Sequence, residues 1–194
     1  MKINFTPQKI NFGAIDLGTK YVNKLNQENE YEPSIVHFVE IDDKNKNDVK
    51  ALENISKYWR NCWYAEDIYN TALEKYDGNS LYKNYKVYAL TSQQNNFECL
   101  GDDKILGVVE VYGLSKNNST ICIGHIESKP NDINLGEKEY KGIGSAMLKS
   151  LQDIFNRIDV VPRDSEGVKN FYRKNGFDEY PAKTNHFVWI KNIF

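Results

Sequence analysis

The residues most able to do chemistry in this 194-residue chain sit in the run Lys141-Gly142-Ile143-Gly144-Ser145. There a polar loop gives way to Ile143, Met147, Leu148, Leu151, Ile154, Phe155 and Ile158, which trace one face of a helix. The first turn of a helix has unpaired backbone N–H groups and the positive end of a dipole, and glycine lets an anion approach the backbone closely. Gly142 and Gly144 therefore form a candidate diphosphate cradle, while a tight turn with close packing explains the same pair of glycines. Cys62, Cys99 and Cys122 are odd in number, far apart and without a CxxC pair, so the sequence suggests neither a disulfide framework nor a zinc cluster. No metal is expected.

The surrounding pattern must position that loop. Residues 1–33 carry turn signals at Pro7, Gly13, Gly18 and Pro33 and no sustained period, and read as an extended arm with one or two short strands. Residues 35–41 are a β-branched apolar run closed by Asp42 and Asp43, the first clear strand. From Asn47 to Tyr76, the positions Val49, Leu52, Ile55, Trp59, Trp63, Ile68, Ala72 and Leu73 recur at helical steps without Pro or Gly, as one long helix or two short ones. Strands follow at 85–91, 105–112 and 120–127, and their short polar connections imply an antiparallel meander. After the Gly-rich helix come a short strand at 158–161, a helix with Val168, Phe171 and Tyr172 that Gly176 can cap, and a last strand at 186–190. The fold class is mixed α/β, a mostly antiparallel central sheet flanked by helices.

Two motifs in this order resemble the GCN5-related N-acetyltransferase (GNAT) superfamily. Glu139-Tyr140-Lys141-Gly142-Ile143-Gly144-Ser145-Ala146-Met147-Leu148 is similar to its acyl-CoA pyrophosphate loop, (Arg or Gln)-x-x-Gly-x-(Gly or Ala). Val168-Lys169-Asn170-Phe171-Tyr172-Arg173-Lys174-Asn175-Gly176-Phe177 is similar to its later helix, with Phe or Leu, then Tyr, then Gly-Phe. The resemblance is specific over residues 120–177 and compatible over 35–112. It implies an acetyltransferase domain over 34–194, with 1–33 outside it. Three departures stand out: Glu139 where the loop usually begins with Arg or Gln, a longer loop between Pro130 and Gly142, and Ser165 where many members have Asn. A carboxylate 4 Å from a diphosphate is repulsive by about 4 kcal/mol at an effective dielectric near 20, so Glu139 is expected to point away or to pair with Lys138 or Lys141.

The resemblance implies transfer of an acetyl group from acetyl-CoA, as co-substrate, to a primary amine of a small molecule or protein. An amine of pKa about 10.4 is neutral in only about one molecule in 1,000 at pH 7.4, a handicap of about 4 kcal/mol, so a base or a water relay is needed. Glu127 is the first candidate and His125 the second, since alternation puts both on one face; each also reads as an ordinary strand residue. Tyr172 is the implied acid for the departing thiolate. Ile126 and Ser128 supply backbone N–H groups to the thioester, and Lys141, Gly142, Ile143, Gly144, Ser145 and Ser165 are the implied CoA contacts. Trp59, Trp63 and Tyr64 could wall the acceptor site or belong to the core, and Glu66 and Asp67 could attract a cation.

Composition narrows the partners. With 25 Lys+Arg against 27 Asp+Glu and a net charge of -2, the chain lacks the concentrated positive surface that phosphate backbones demand, which disfavours nucleic acid. No run approaches the roughly 20 apolar residues of a membrane span, nor the central region of a signal peptide, so no membrane and a cytoplasmic location are expected. Two rivals stay open: an inactive acyl-CoA-binding sensor and a toxin-like acetyltransferase of aminoacyl-tRNA. A homodimer is also left open.

Overall fold

The computed structural model describes residues 13–59, 62–113, 119–130, 137–181 and 185–191. The chain runs β1 (Ile15–Leu25), β2 (Tyr31–Glu40), α1 (Lys46–Tyr58), α2 (Trp63–Tyr76), β3 (Tyr85–Thr91), β4 (Ile105–Gly113), β5 (Thr120–Ser128), β6 (Tyr140–Lys141), α3 (Ile143–Ile154), β7 (Arg157–Val160), α4 (Glu166–Lys174), β8 (Asp178–Glu179) and β9 (Phe187–Ile190). These strands form one sheet in the order β6-β1-β2-β3-β4-β5-β7-β9-β8. Every pairing is antiparallel except β5 with β7. The expected meander is β3-β4-β5.

Two apolar layers follow from strand alternation. Val36, Phe38, Leu90, Leu106, Val109 and Ile123 face Met147, Leu148 and Leu151 of α3 and Tyr172 of α4. Val39, Ala89, Ile105 and Val108 face the opposite way, against Leu52, Ile55 and Trp59 and against Ile68 and Ala72 of α2. The helical period between Asn47 and Tyr76 resolves into two helices, because the chain leaves helical geometry at Trp59 (φ -78°, ψ 87°). Trp59 is a core residue; the side chain of Trp63 lies outside the described residues. Gly176 has φ 82° and ends α4 as expected, with Phe177 N–H donating to the Tyr172 carbonyl at 3.1 Å. No helix among the described residues is long and apolar enough to cross a membrane.

The expected arm at 1–33 is corrected from residue 15 onward, where it is an 11-residue strand paired along β2. Gly18 (φ 118°) and a register shift between Asp16 and Thr19 break the alternation, and Ile15, Leu17 and Tyr21 are exposed. A bulge with apolar residues on its wet face hides the period of two that marks a strand. Pro33, opposite Asn23, is tolerated because β2 meets β3 only over His37–Glu40. Residues 1–12 lie outside the described residues, as does most of the long loop before Gly142.

Candidate active site

The parallel pair β5-β7 is the local irregularity that builds the site. Its pairing ends at Ile123 opposite Val160, while β5 continues to Ser128. Beyond Val160 the other strand turns off through Val161 and Pro162, and a cleft of about 620 Å³ opens between the two ends. Lys129 N–H donates to Leu106 O of β4 at 2.8 Å. N–H directions alternate along a strand, so those of Ile126 and Ser128 point the other way, toward the cleft. Ser128 N–H meets its neighbour's Glu127 Oε1 at 3.3 Å.

The glycine loop borders the same cleft. Gly142 precedes α3 with φ 88°, a left-handed conformation that side chains resist, and carries no capping side chain. The first bond of the helix runs from Ala146 N–H to Gly142 O, and no acidic residue sits in its first turn. The N–H groups of Ile143, Gly144 and Ser145 thus face outward at a positive dipole end. Gly144 packs against Phe171 of α4, whose Cζ would lie 3.0 Å from an added Cβ. Lys129, Lys138, Lys141 and Arg163 also line the cleft, and Glu127 is the only acidic residue among the described lining residues. Lys141 Nζ rests 3.5 Å above the centre of the Tyr31 ring, which fixes its side chain beside the loop.

Glu139 turns away, as its charge requires. It borders a separate polar cleft with Lys24 and Lys104, and its carbonyl accepts the Leu25 N–H at 2.8 Å. The local pairing of β6 with β1 sets this direction. Ser165 is the N-cap residue of α4 without a capping bond and does not line the main cleft, unlike Tyr172, Glu127, Ile126, Ser128, Lys141, Gly142, Ile143, Gly144 and Ser145.

On the α2 side of the cleft, Tyr64 stacks on His125 with ring centres 5.0 Å apart. His125 and Glu127 share the cleft with Tyr172, which is 4% exposed and packed edge-on to Phe171 and Phe177. Burial pushes the Tyr172 hydroxyl well above the usual tyrosine value, with Tyr64 and Cys122 adding to it, so it stays protonated at neutral pH. Burial likewise raises Glu127; the Ser128 N–H and the Cys62 thiol oppose the rise by hydrogen bonding to the carboxylate. That placement suits proton uptake near neutrality better than an ordinary surface glutamate does.

Two residues escaped the sequence reading. Glu110, 2% exposed, lies behind His125, and Gly124 marks a bulge where the β4-β5 register shifts between Glu110 and Val111. The signals were present: a lone carboxylate inside the run Val108-Val109-Glu110-Val111, and a glycine inside a strand. Lys129, Lys138 and Arg163 were also missed as cleft residues, because single cations in loops carry no periodic mark. No group of three or more metal-ligand side chains is brought together among the described residues.

Solved structures of the same shape decide the fold. A GNAT-family protein from Desulfovibrio desulfuricans covers 89% of this chain and 99% of its own, at 10% identity and a TM-score of 0.50. The chain has the GNAT fold. The aminoglycoside acetyltransferase AAC(6')-Ib with coenzyme A covers 80% of this chain and 95% of its own, at 13% identity and a TM-score of 0.51. The same enzyme with paromomycin and acetyl-CoA gives 13% identity and a TM-score of 0.50 over 80% and 93%. No protein-family profile and no curated protein matches the sequence. At such identities the likeness is one of topology.

Proposed function

We propose that this protein transfers an acetyl group from acetyl-CoA to a primary amine of a small molecule or protein. The observation that carries the reading is the gap between β5 and β7, with an uncapped helix start and four cations lining it, and with Glu127, His125 and Tyr172 also in its wall. A diphosphate fits the free N–H groups of Ile143 to Ser145, backed by Lys141. A pantetheine arm fits the open edge of β5, where the N–H group of Ile126 polarises a thioester carbonyl, while that of Ser128 is engaged by Glu127 Oε1. Structures of the same fold hold coenzyme A or acetyl-CoA.

The residues then divide the work. Glu127 takes a proton from the acceptor ammonium, which makes the nitrogen nucleophilic. Tyr172, kept neutral by burial, donates its hydroxyl proton to sulfur as the carbon–sulfur bond breaks. Tyr172 lies on the buried face of α4 and lines the cleft.

Thiol release from acetyl-CoA, measured against spermidine, paromomycin and a peptide with N-terminal serine, tests the reading. Amine-dependent release with formation of the acetamide is expected; release that no amine accelerates would contradict it.

A further inference from the structure

Converting an ammonium and an acetyl thioester into an acetamide and a thiol strips two protons from nitrogen and returns one to sulfur. Glu127 can hold one of the two and Tyr172 supplies the one that sulfur receives. The second nitrogen proton needs another acceptor with a way out to solvent.

The structure holds one, His125, on the same strand as Glu127. Glu110 of β4 is 2% exposed; its Oε1 lies 3.3 Å from His125 Nδ1, and its Oε2 has no partner. A carboxylate only accepts, so Nδ1 carries the hydrogen and Nε2 is left with the lone pair. Gly124 makes this contact sterically feasible, since a Cβ there would lie 2.4 Å from Glu110 Oε1. The bulge at that glycine sets His125 and Glu127 on the α2 side of β5, where His125 lines the cleft. His125 Nε2 lies 3.8 Å from Asp67 Oδ2, a half-exposed carboxylate on α2.

We propose that Glu110 is a positioning residue that fixes the His125 imidazole through Nδ1, and that His125 Nε2 is the second proton acceptor of the acyl-transfer reaction. The proposal rests on the acetyltransferase reading. Neutral Nε2 takes the proton from the acetylated nitrogen and becomes an N–H; Glu110 balances the imidazolium charge; the proton then leaves to water on the exposed side beside Asp67. Return of the Glu127 proton through water to the Tyr172 phenolate resets both groups, so one proton, the one His125 passes out, is released per turnover.

The neighbours favour a charged imidazole. Tyr64 and Asp67 face His125 from α2, Glu127 shares its face of β5, and Tyr85 and Tyr112 flank Glu110 from β3 and β4. The Glu110 contact draws the His125 titration upward against burial, and Asp67 adds to it.

The test compares wild type, Glu110→Met and Glu110→Gln by nitrogen NMR of His125 and by the pH dependence of thiol release with the fastest of the three amines above. In wild type the neutral ring is expected to carry its hydrogen on Nδ1. Glu110→Met should lose that preference, titrate at lower pH and lose roughly tenfold or more in kcat, with KM for acetyl-CoA unchanged. Glu110→Gln keeps an acceptor oxygen and should restore the tautomer but not the titration. Thermal stability should not fall in Glu110→Met, because an unpaired buried oxygen has been removed; if that variant does not fold, Glu110→Gln alone must show the lowered titration and rate. An unchanged tautomer and titration in a folded variant, or an unchanged rate, overturns the proposal in an active enzyme. Wild type that acetylates no amine overturns the acyl-transfer reading and the relay with it, while the NMR result is read independently.

Discussion

Gly144, in the first turn of α3, meets the ring of Phe171 on α4 so closely that an added Cβ would sit 3.0 Å from Cζ and 3.2 Å from Cε2. The two motifs, whose residues Gly144 and Phe171 are 27 apart along the chain, are therefore one packed unit. The start of α3 and the helix bearing Tyr172 hold each other in place.

A valine at position 144 must displace Phe171, which lines the cleft. Gly144→Val is expected to cost about 1–3 kcal/mol of stability by overpacking and to weaken acetyl-CoA binding, measured by calorimetry. Gly142→Ala differs, since nothing lies within 4 Å of an added Cβ and only the φ of 88° resists it. About 1–2 kcal/mol of strain should appear as a lowered Tm, with binding retained.

Tyr172→Phe keeps the ring contacts with Phe171, Phe177 and Phe187 and deletes the hydroxyl. The fold should be unchanged by circular dichroism while kcat falls by roughly 10²–10⁴. Since burial raises the hydroxyl above its usual value, no alkaline limb of the wild-type rate below the ordinary tyrosine range should trace to this residue. Full activity of the variant would remove Tyr172 from the chemistry.

Burial raises the Glu127 carboxyl above the ordinary glutamate value, and Cys62, itself pushed up to about 11, donates to it. The ionised form is lost as pH falls through the raised value, so the Glu127 limb of kcat/KM should lie above the glutamate range. Cys62→Ala removes a donor and should move that limb to higher pH; Glu127→Gln should abolish it. The pH profile of thiol release reads both.

Away from the cleft, Asp48 near the start of α1 is fully buried, and burial raises its carboxyl to about 7 despite the Asp42 N–H that donates to it at 3.1 Å. The folded protein then binds a proton that the unfolded chain releases, so stability falls as pH rises from the ordinary aspartate value toward 7. Asp48→Asn should raise Tm at pH 8, and the gain should vanish below about pH 4, near the unfolded aspartate value. An equal gain at both pH values would contradict this account.

The main elements were legible because packing enforces their patterns: β3 spans Tyr85–Thr91 as expected, and α3 begins at Ile143 directly after the glycine turn. The two-residue strands β6 and β8 were not, since their pairing is decided by partners such as Asn23, Lys24 and Val188 far along the chain. Strand β1 was obscured by its bulge and exposed apolar side chains. Nine of the ten candidate site residues line the cleft, placed there by the end of β5, the start of α3 and the buried face of α4. Ser165 does not, as its side chain lies at the helix cap outside it. Glu110 is visible as a lone carboxylate in an apolar run, but its meaning is not, because a buried carboxylate acquires it from His125 across the strand pair.

The central claim is that the start of α3 receives the diphosphate of acetyl-CoA. Ser145 is exposed in the first turn of that helix and lines the cleft; a glutamate there suits the helix dipole but would repel a diphosphate by about 4 kcal/mol at 4 Å for an effective dielectric near 20. Calorimetric titration of wild type and Ser145→Glu with acetyl-CoA is the most direct measurement. One-to-one binding by wild type, lost by a Ser145→Glu variant of equal Tm, is the predicted result. Equal affinity in both proteins, or no binding by folded wild type, would contradict it.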